Sequence, residues 1–125
     1  MVGPRVVDRE GLTRATSVAI ARALRRLVPD DATEVLVLLD GGLRAPARYT
    51  NQATIIKGDE KEPLIALASV VAKVMRDEKM RTLSYQYPQY GFEGHKGYGT
   101  SAHYKAIKKY GISDSHRKSF LTRLT

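Results

Sequence analysis

Residues 34–42 read Glu-Val-Leu-Val-Leu-Leu-Asp-Gly-Gly, a short apolar run that ends in an acid and two glycines. A continuous apolar run of this length predicts a β-strand buried on both faces, as in the centre of a parallel sheet. Residues 54–57, Thr-Ile-Ile-Lys, predict a second, shorter strand. A two-stranded sheet has two open edges and little stability of its own. The sequence therefore indicates an α/β fold. Either the apolar pattern misses further strands, or this chain lacks part of the sheet.

Periodic apolar residues predict three helices around these strands, at about residues 12–27, 63–84 and 101–110. Pro29 stops the first helix, whose arginines face outward, and Pro63 suits the first turn of the second. Thr100 or Ser101 caps the third helix, and Gly111 ends it. The order of elements shows no repeat and no linker between domains.

The length and composition fit one domain or part of one. The chain has 125 residues, of which 42% are hydrophobic and 27% charged, so it can bury a core. No run of about 18 uncharged apolar residues could cross a membrane, and the N-terminus has no apolar signal segment. The absence of cysteine excludes disulfides, thiolate metal sites and a cysteine nucleophile. We therefore expect a soluble, cytoplasmic protein without a membrane partner.

The net charge of +8 is concentrated near the C-terminus. Residues 95–125 hold seven of the Lys and Arg residues and one acid, and six of the seven tyrosines lie at positions 85–110. Interleaved cations and aromatic rings are typical of surfaces that neutralise phosphates and pack against sugars or bases. The pattern favours a polyanion as partner, although a solvated basic face with tyrosines that support a loop has the same composition.

Two acids are candidates for a reactive site. Asp40 follows the buried strand at its carboxyl end, where open α/β sheets place ligands, although an acid before two glycines also suits a turn. Asp77 lies in the second helix, where Val70 and Val74 make its surroundings mostly apolar. An ion pair with Lys73, one helical turn earlier, would equally explain Asp77.

The chain resembles the ribonuclease HII (type 2 ribonuclease H) family over nearly its whole length. The resemblance lies in four linked segments, LLDGG (38–42), GDEKEPLIALASVVAKVMRD (58–77), YPQYGFEGHKGYGTSAHYKAIKKYG (87–111) and SHRKSF (115–120). It implies a ribonuclease H-like fold and an endonuclease that cuts RNA in RNA–DNA hybrids or at single ribonucleotides embedded in duplex DNA. It also implies two-metal hydrolysis with Mg²⁺ or Mn²⁺, and Asp40 and Asp77 match the third and fourth of the family's four catalytic, metal-binding carboxylates.

Residues 95–100, His-Lys-Gly-Tyr-Gly-Thr, fit a substrate-recognition loop. Gly97 and Gly99 let the backbone approach a ligand closely, and a helix that begins just after Thr100 presents N–H groups to phosphate. His95 and Lys96 add cations. The resemblance makes Tyr98 the tyrosine that packs on the sugar beside the scissile junction. A glycine-rich turn before a capped helix is the simpler alternative.

The sequence departs from the family in its first part. The family's first two carboxylates form an adjacent Asp-Glu pair, followed by a Gly-Arg-Gly element, and this chain has neither. We therefore expect one partial domain over 1–125 that lacks the first three strands, with the remaining α/β core at about 1–84 and a basic, helical, substrate-contacting part at about 85–125. Such a chain could be a fragment, a truncated reading frame or half of a split enzyme.

Activity of this chain alone should then be impaired or absent unless a complementing N-terminal segment supplies the missing acids. The alternatives are a non-catalytic, basic nucleic-acid-binding fragment and a protein-interaction fragment that pairs through its open sheet edge. Among the minor candidates, Ser69 and Lys73 suit helix packing and a solvated surface. His103 and His116 lack acids at metal-ligand spacing, and His116 with its basic neighbours predicts a phosphate contact or surface charge.

Overall fold

The computed structural model describes residues 1–28 and 34–122. Its helices and strands follow in the order α1 (Pro4–Leu27), β1 (Val37–Asp40), β2 (Gln52–Ile55), α2 (Gly58–Lys61), α3 (Pro63–Gln86), α4 (Phe92–His95) and α5 (Ser101–Tyr110), with 3₁₀ turns at Pro88–Tyr90 and Lys118–Phe120. The chain divides into two compact units, an N-terminal unit (Met1–Ser69) and a C-terminal unit (Val70–Thr125). Among the described residues, no helix is both long enough and apolar enough to cross a membrane.

The sheet of the N-terminal unit consists of β1 and β2 over the described ranges. The two strands are parallel, as the apolar run predicts, with Val37 opposite Gln52 and Asp40 opposite Ile55. The second strand lies two residues earlier than the predicted 54–57, because Ile56 and Lys57 already form the turn that leads into α2. Burial alternates along β1, because Val37 and Leu39 are buried whereas the side chains between and beyond them are partly exposed. The prediction of a central strand buried on both faces is therefore wrong, since within residues 1–28 and 34–122 β1 has one neighbouring strand and one covered face.

The core of the N-terminal unit lies on the covered face of the sheet. Val37, Leu39, Ala45 and the fully buried Tyr49 form it, and apolar residues of α1 and its flanks pack against it. The Gln52 side chain bonds to the loop that joins the two strands. Its Oε1 accepts the Ala45 N–H at 2.9 Å, and its Nε2 donates to the Tyr49 carbonyl at 2.8 Å. These bonds satisfy backbone groups that the short sheet leaves unpaired.

The first helix is longer than predicted and is interrupted. It begins at Pro4, and Gly11 breaks it with a φ of 79° and a ψ of 166°. A positive φ suits glycine, which has no Cβ to clash. Ala15 is buried on the predicted apolar face, but Leu12 is 56% exposed. Pro29, the predicted stop, lies outside the described residues.

The second predicted helix is confirmed as α3, which ends two residues later than expected. The structure differs from the prediction in the segment just before α3. Where the sequence predicts a break at residues 58–63, the chain forms the single turn α2, and Lys57 turns the backbone into it with a φ of 55°. A four-residue helix has too few residues to produce an apolar period, so the pattern could not reveal it.

The C-terminal unit packs α5 onto the segment that follows α3. Its core contains Tyr90, Phe92, Ile107 and Leu121, with further apolar side chains of the same unit around them. Helix α5 has the predicted bounds, and Gly111 ends it with a φ of 79°. These contacts support the residues 96–100 that precede α5.

The cap of α5 gives a direct test of this local structure. The Thr100 hydroxyl accepts the His103 N–H at 3.2 Å. Thr100→Ala should lower the free energy of unfolding by about 1 kcal/mol, because one helix N–H loses its partner. Thr100→Ser keeps the hydroxyl and should retain most of the stability in urea denaturation followed by circular dichroism. Equal stability of Thr100→Ala and Thr100→Ser would contradict the capping role.

Candidate functional site

Asp40 is the last residue of β1, and its side chain is half-buried. A hydrogen bond from the backbone of α2 orients one of its two carboxylate oxygens. Its Oδ1 accepts the Gly58 N–H at 2.7 Å, eighteen residues along the chain, so the bond joins the strand to α2. A Cβ at position 58 would lie 3.3 Å from this oxygen and 2.7 Å from Ile65 Cδ1. Glycine at position 58 therefore allows the close approach, and the carboxylate has a defined orientation that a local turn bond alone would not give.

Asp77 lies in the part of α3 that belongs to the C-terminal unit. Its side chain is 29% exposed, and Lys73 Nζ lies 3.2 Å from its Oδ2. The ion pair that the spacing predicts is therefore present, and an i, i+4 pair with an exposed lysine contributes only a few tenths of a kcal/mol. Val70 and Val74, the apolar residues beside Asp77, are 58% and 61% exposed.

The two acids do not by themselves complete a metal site. Mg²⁺ and Mn²⁺ prefer oxygen donors, and both carboxylates are of that type. Over residues 1–28 and 34–122, however, no group of three or more His, Asp or Glu side chains is placed to hold a metal ion. Asp40 belongs to the N-terminal unit and Asp77 to the C-terminal unit. The described part of the chain thus offers an incomplete set of ligands.

Residues 96–100 form a tight loop before α5. Lys96 and Gly97 have φ angles of 50° and 77°, and the Tyr98 N–H donates to the His95 carbonyl at 2.8 Å. A Cβ at Gly97 would lie 3.0 Å from Met80 Cε, and one at Gly99 would lie 2.4 Å from the Tyr104 hydroxyl. A side chain at either position would have to displace the end of the Met80 or Tyr104 side chain, and Gly97 is also favoured by its backbone angle.

Tyr98 lies in this loop and is 64% exposed. The Arg76 guanidinium lies 4.9 Å from the ring centroid, a cation–π contact within the C-terminal unit. The pair presents an aromatic face and a positive charge side by side. Sequence reasoning missed Arg76, and the only available signal was its position directly before Asp77 in a segment that matches the family.

His95 shapes the loop through its ring nitrogens. Nδ1 accepts the Gly97 N–H at 3.2 Å, and Nε2 lies 2.7 Å from the Tyr90 carbonyl, to which it donates. These two bonds hold the ring against the loop. Lys96, together with Arg76 beside Tyr98, places positive charge at the loop.

His103 and His116 are buried, with 6% and 7% of their surface exposed. Their Nε2 atoms lie 3.0 Å apart, His103 Nδ1 lies 2.9 Å from the Tyr98 carbonyl oxygen, and His116 Nδ1 accepts the Ser113 N–H at 3.0 Å. Burial lowers the pKa of both rings below 6.5, and for His116 the neighbouring His103 lowers the pKa further. The prediction of His116 as a surface charge or phosphate contact is wrong, because the ring faces the core.

Helix α5 contributes three exposed cations to the C-terminal unit. Lys105, Lys108 and Lys109 are exposed, and Lys109 Nζ lies 5.0 Å from the centroid of the Tyr110 ring. Together with the exposed Tyr98 they give the C-terminal unit the mixture of charge and aromatic surface that suits a nucleic acid. This surface and the two acids are the chemically distinctive features of the described residues.

Comparison with known proteins identifies one family. The sequence model of the Ribonuclease HII family matches residues 5–124. A protein of Vibrio vulnificus named Ribonuclease HII is 45% identical over 119 residues, which cover 94% of this chain and 55% of that protein. A protein of Prochlorococcus marinus with the same name is 44% identical over 120 residues, which cover 96% of this chain and 61% of that protein. The chain thus spans somewhat over half the length of the curated relatives it matches.

The buried histidines predict how stability depends on pH. Their pKa values are lower in the folded chain than the ordinary 6.5, so the unfolded chain binds more protons as the pH falls. Their stabilising contribution is present above about pH 6.5 and is lost as the pH falls below it towards the folded pKa values. The thermal unfolding midpoint should therefore be lower at about pH 5.5 than at about pH 7.5.

The matched control is His116→Phe, which removes one titrating ring and should reduce this difference. Carboxylates contribute little in this window because their ordinary pKa values are about 4. A midpoint that is equal or higher at the lower pH would contradict the assignment of neutral, buried rings.

Proposed function

Because the chain belongs to the ribonuclease HII family, we propose that it takes part in endonucleolytic cleavage of RNA in RNA–DNA hybrids or at ribonucleotides embedded in duplex DNA. The observation that carries this proposal is the exposed Tyr98 ring, which a glycine loop presents beside Arg76. An aromatic face can pack on a sugar, and an adjacent cation can neutralise a phosphate.

The recognition surface consists of the loop and the start of α5. Lys96 adds a cation, Gly97 and Gly99 let the backbone come close to the substrate, and Thr100 caps the helix that follows. The N-terminal N–H groups of a helix favour an anion, so α5 is oriented to receive a phosphate next to Tyr98. His95 contributes by holding the loop through its two ring hydrogen bonds.

Asp40 and Asp77 are the proposed catalytic and metal-binding carboxylates. When Mg²⁺ or Mn²⁺ is bound, it supplies activation of water and stabilisation of the leaving oxygen. Since the described residues give an incomplete ligand set, we expect the chain alone to have little or no nuclease activity. The incomplete set also favours a second candidate function, a non-catalytic, basic nucleic-acid-binding fragment that uses the same C-terminal surface.

The proposed partner besides nucleic acid is a complementing N-terminal segment that carries the missing acids. Helix α3 leaves apolar side chains 50% to 65% exposed, namely Leu64, Leu67, Val70, Val71, Val74 and Met75. The sheet has one covered face, and α3 carries a row of exposed apolar side chains. Both features favour the binding of a further segment that covers them. The curated relatives are also longer than the matched region.

Asp40→Asn tests the catalytic assignment. With a DNA duplex that contains one ribonucleotide, and with Mg²⁺ or Mn²⁺ and a segment that carries the family's Asp-Glu pair, this variant should lose cleavage on the 5′ side of the ribonucleotide. Its affinity for the duplex should be equal or higher, because a charge that repels phosphate is removed. Product gels and fluorescence anisotropy measure the two effects.

Asp59→Asn is the matched control, since it removes an exposed acid of α2 that has no proposed role. It should cleave like the parent chain. Normal cleavage by Asp40→Asn would show that the carboxylate assignment is wrong.

The complementing segment has a test that is independent of catalysis. Its addition should slow hydrogen–deuterium exchange in β1 and α3 and raise the unfolding midpoint, because it covers the uncovered face of β1 and buries the exposed apolar side chains of α3. Val70→Asp with Val74→Asp should abolish this protection while leaving the chain alone nearly as stable, since both positions are exposed. Unchanged exchange after addition of the segment to the parent chain would exclude this partner.

A further inference from the structure

A chain of side-chain hydrogen bonds connects the core of the C-terminal unit to the recognition loop. It runs from Ser113 through His116 and His103 to the carbonyl oxygen of Tyr98, and we call it the histidine relay. That carbonyl also accepts the Thr100 N–H at 2.8 Å. The exposed Tyr98 is thus bonded directly to the buried ring of His103 and, through that ring, is connected to the buried ring of His116.

The hydrogen-bond partners allow one protonation pattern in the relay. His116 Nδ1 accepts the Ser113 N–H, so its proton is on Nε2 and points at His103. His103 Nε2 must then accept, so its proton is on Nδ1 and is donated to the Tyr98 carbonyl. The Ser113 hydroxyl, 2.8 Å from His116 Nδ1, can rotate its proton to donate as well. Each ring is neutral and in a single tautomer.

We propose that His103 and His116 are positioning residues that hold the Tyr98 loop in the conformation that recognises the ribose, acting through the Tyr98 carbonyl oxygen. The proposal rests on the proposed function of the loop and adds the residues that set its geometry. Neither histidine is expected to touch the substrate, because both rings are buried.

Packing alone does not account for these two polar rings. Apolar side chains of similar size would fill the same space between Phe92 and Tyr90, whose ring centroids lie 5.6 Å from His103 and 4.9 Å from His116 respectively. Buried imidazoles are costly unless their nitrogens are paired. Here every ring nitrogen is paired, and the last donor of the relay is used on an exposed loop rather than within the core.

Acidification should break the relay at defined places. A second proton on His103 would face the N–H of His116, and a second proton on His116 would face the N–H of Ser113. The groups that act on the charge of these rings are the histidines themselves, including His95, which stacks on His103 at 4.3 Å. Burial lowers the pKa of His103 and His116 and so preserves the neutral relay near neutral pH.

The first part of the test is spectroscopic. Long-range ¹H–¹⁵N correlation spectra of the full chain with ¹⁵N-labelled histidine distinguish protonation at Nδ1 from protonation at Nε2. The expected result is His103 protonated at Nδ1 and His116 protonated at Nε2. His103 protonated at Nε2, or tautomers in exchange, would overturn the proposal whatever the chain binds.

The second part compares two variants of one residue. His116→Phe keeps the ring volume but removes the donor to His103, which is then free to move its proton to Nε2 and lose the bond to Tyr98. Since one buried hydrogen bond is at stake, the preference for a duplex with one ribonucleotide over the same all-DNA duplex should fall about fivefold. His116→Gln can donate from its amide at the same place and should restore the preference. Affinity for the all-DNA duplex should stay constant, because no cation is changed.

The outcomes separate the two proposals. If the parent chain has no preference for the ribonucleotide, the proposed recognition function fails, and ribose positioning fails with it even if the tautomers are as expected. If the parent chain has the preference and a folded His116→Phe keeps it, the relay does not position the loop. If His116→Phe does not fold, two measurements still test the relay: the histidine tautomers of the parent chain and the ribonucleotide preference of His116→Gln. If the parent tautomers are as expected but His116→Gln loses the preference, the proposal is wrong.

Discussion

The hydrogen bond between the buried rings of His103 and His116 is the constraint on which the C-terminal unit depends. Because His116 Nδ1 accepts the Ser113 N–H, His116 donates from Nε2 to His103, and the N–H of His103 is directed to the carbonyl of Tyr98. The same rings pack beside Phe92 in the core. Because one set of contacts serves both packing and loop geometry, the exposed tyrosine is held by the most buried polar groups of its unit.

The N-terminal unit is organised around a different contact, the bond from the Gly58 N–H to Asp40. It joins the end of β1 to α2 and fixes one side of the carboxylate that we assign to catalysis. Asp77, by contrast, is paired with an exposed lysine and is held only weakly. The proposed recognition residues therefore all lie within the C-terminal unit, whereas the two proposed catalytic acids lack further metal ligands among the described residues. This asymmetry explains why we expect binding to survive in a chain whose cleavage is impaired.

Much of this could be predicted from sequence wherever a pattern spans many residues. The bounds of α5, its Thr100 cap and the parallel strands follow from period and cap chemistry, and the linked motifs gave the family. The burial of His116 could not be predicted, because its basic neighbours Arg117 and Lys118 suggest a surface, and only tertiary packing places the ring beside His103. The break at Gly11 and the contact of Arg76 with Tyr98 escaped for the same reason, since each depends on backbone angles or on distant residues.

We propose that the loop around Tyr98 recognises ribose while nearby cations hold phosphate. The most direct measurement is the affinity of the unmodified chain for two duplexes that differ by one 2′-hydroxyl, over a series of salt concentrations. We expect both affinities to fall steeply with salt, because phosphate contacts release counterions, while the ratio in favour of the ribonucleotide stays nearly constant. Equal affinities at every salt concentration would contradict the claim and leave the C-terminal unit as a non-selective basic surface.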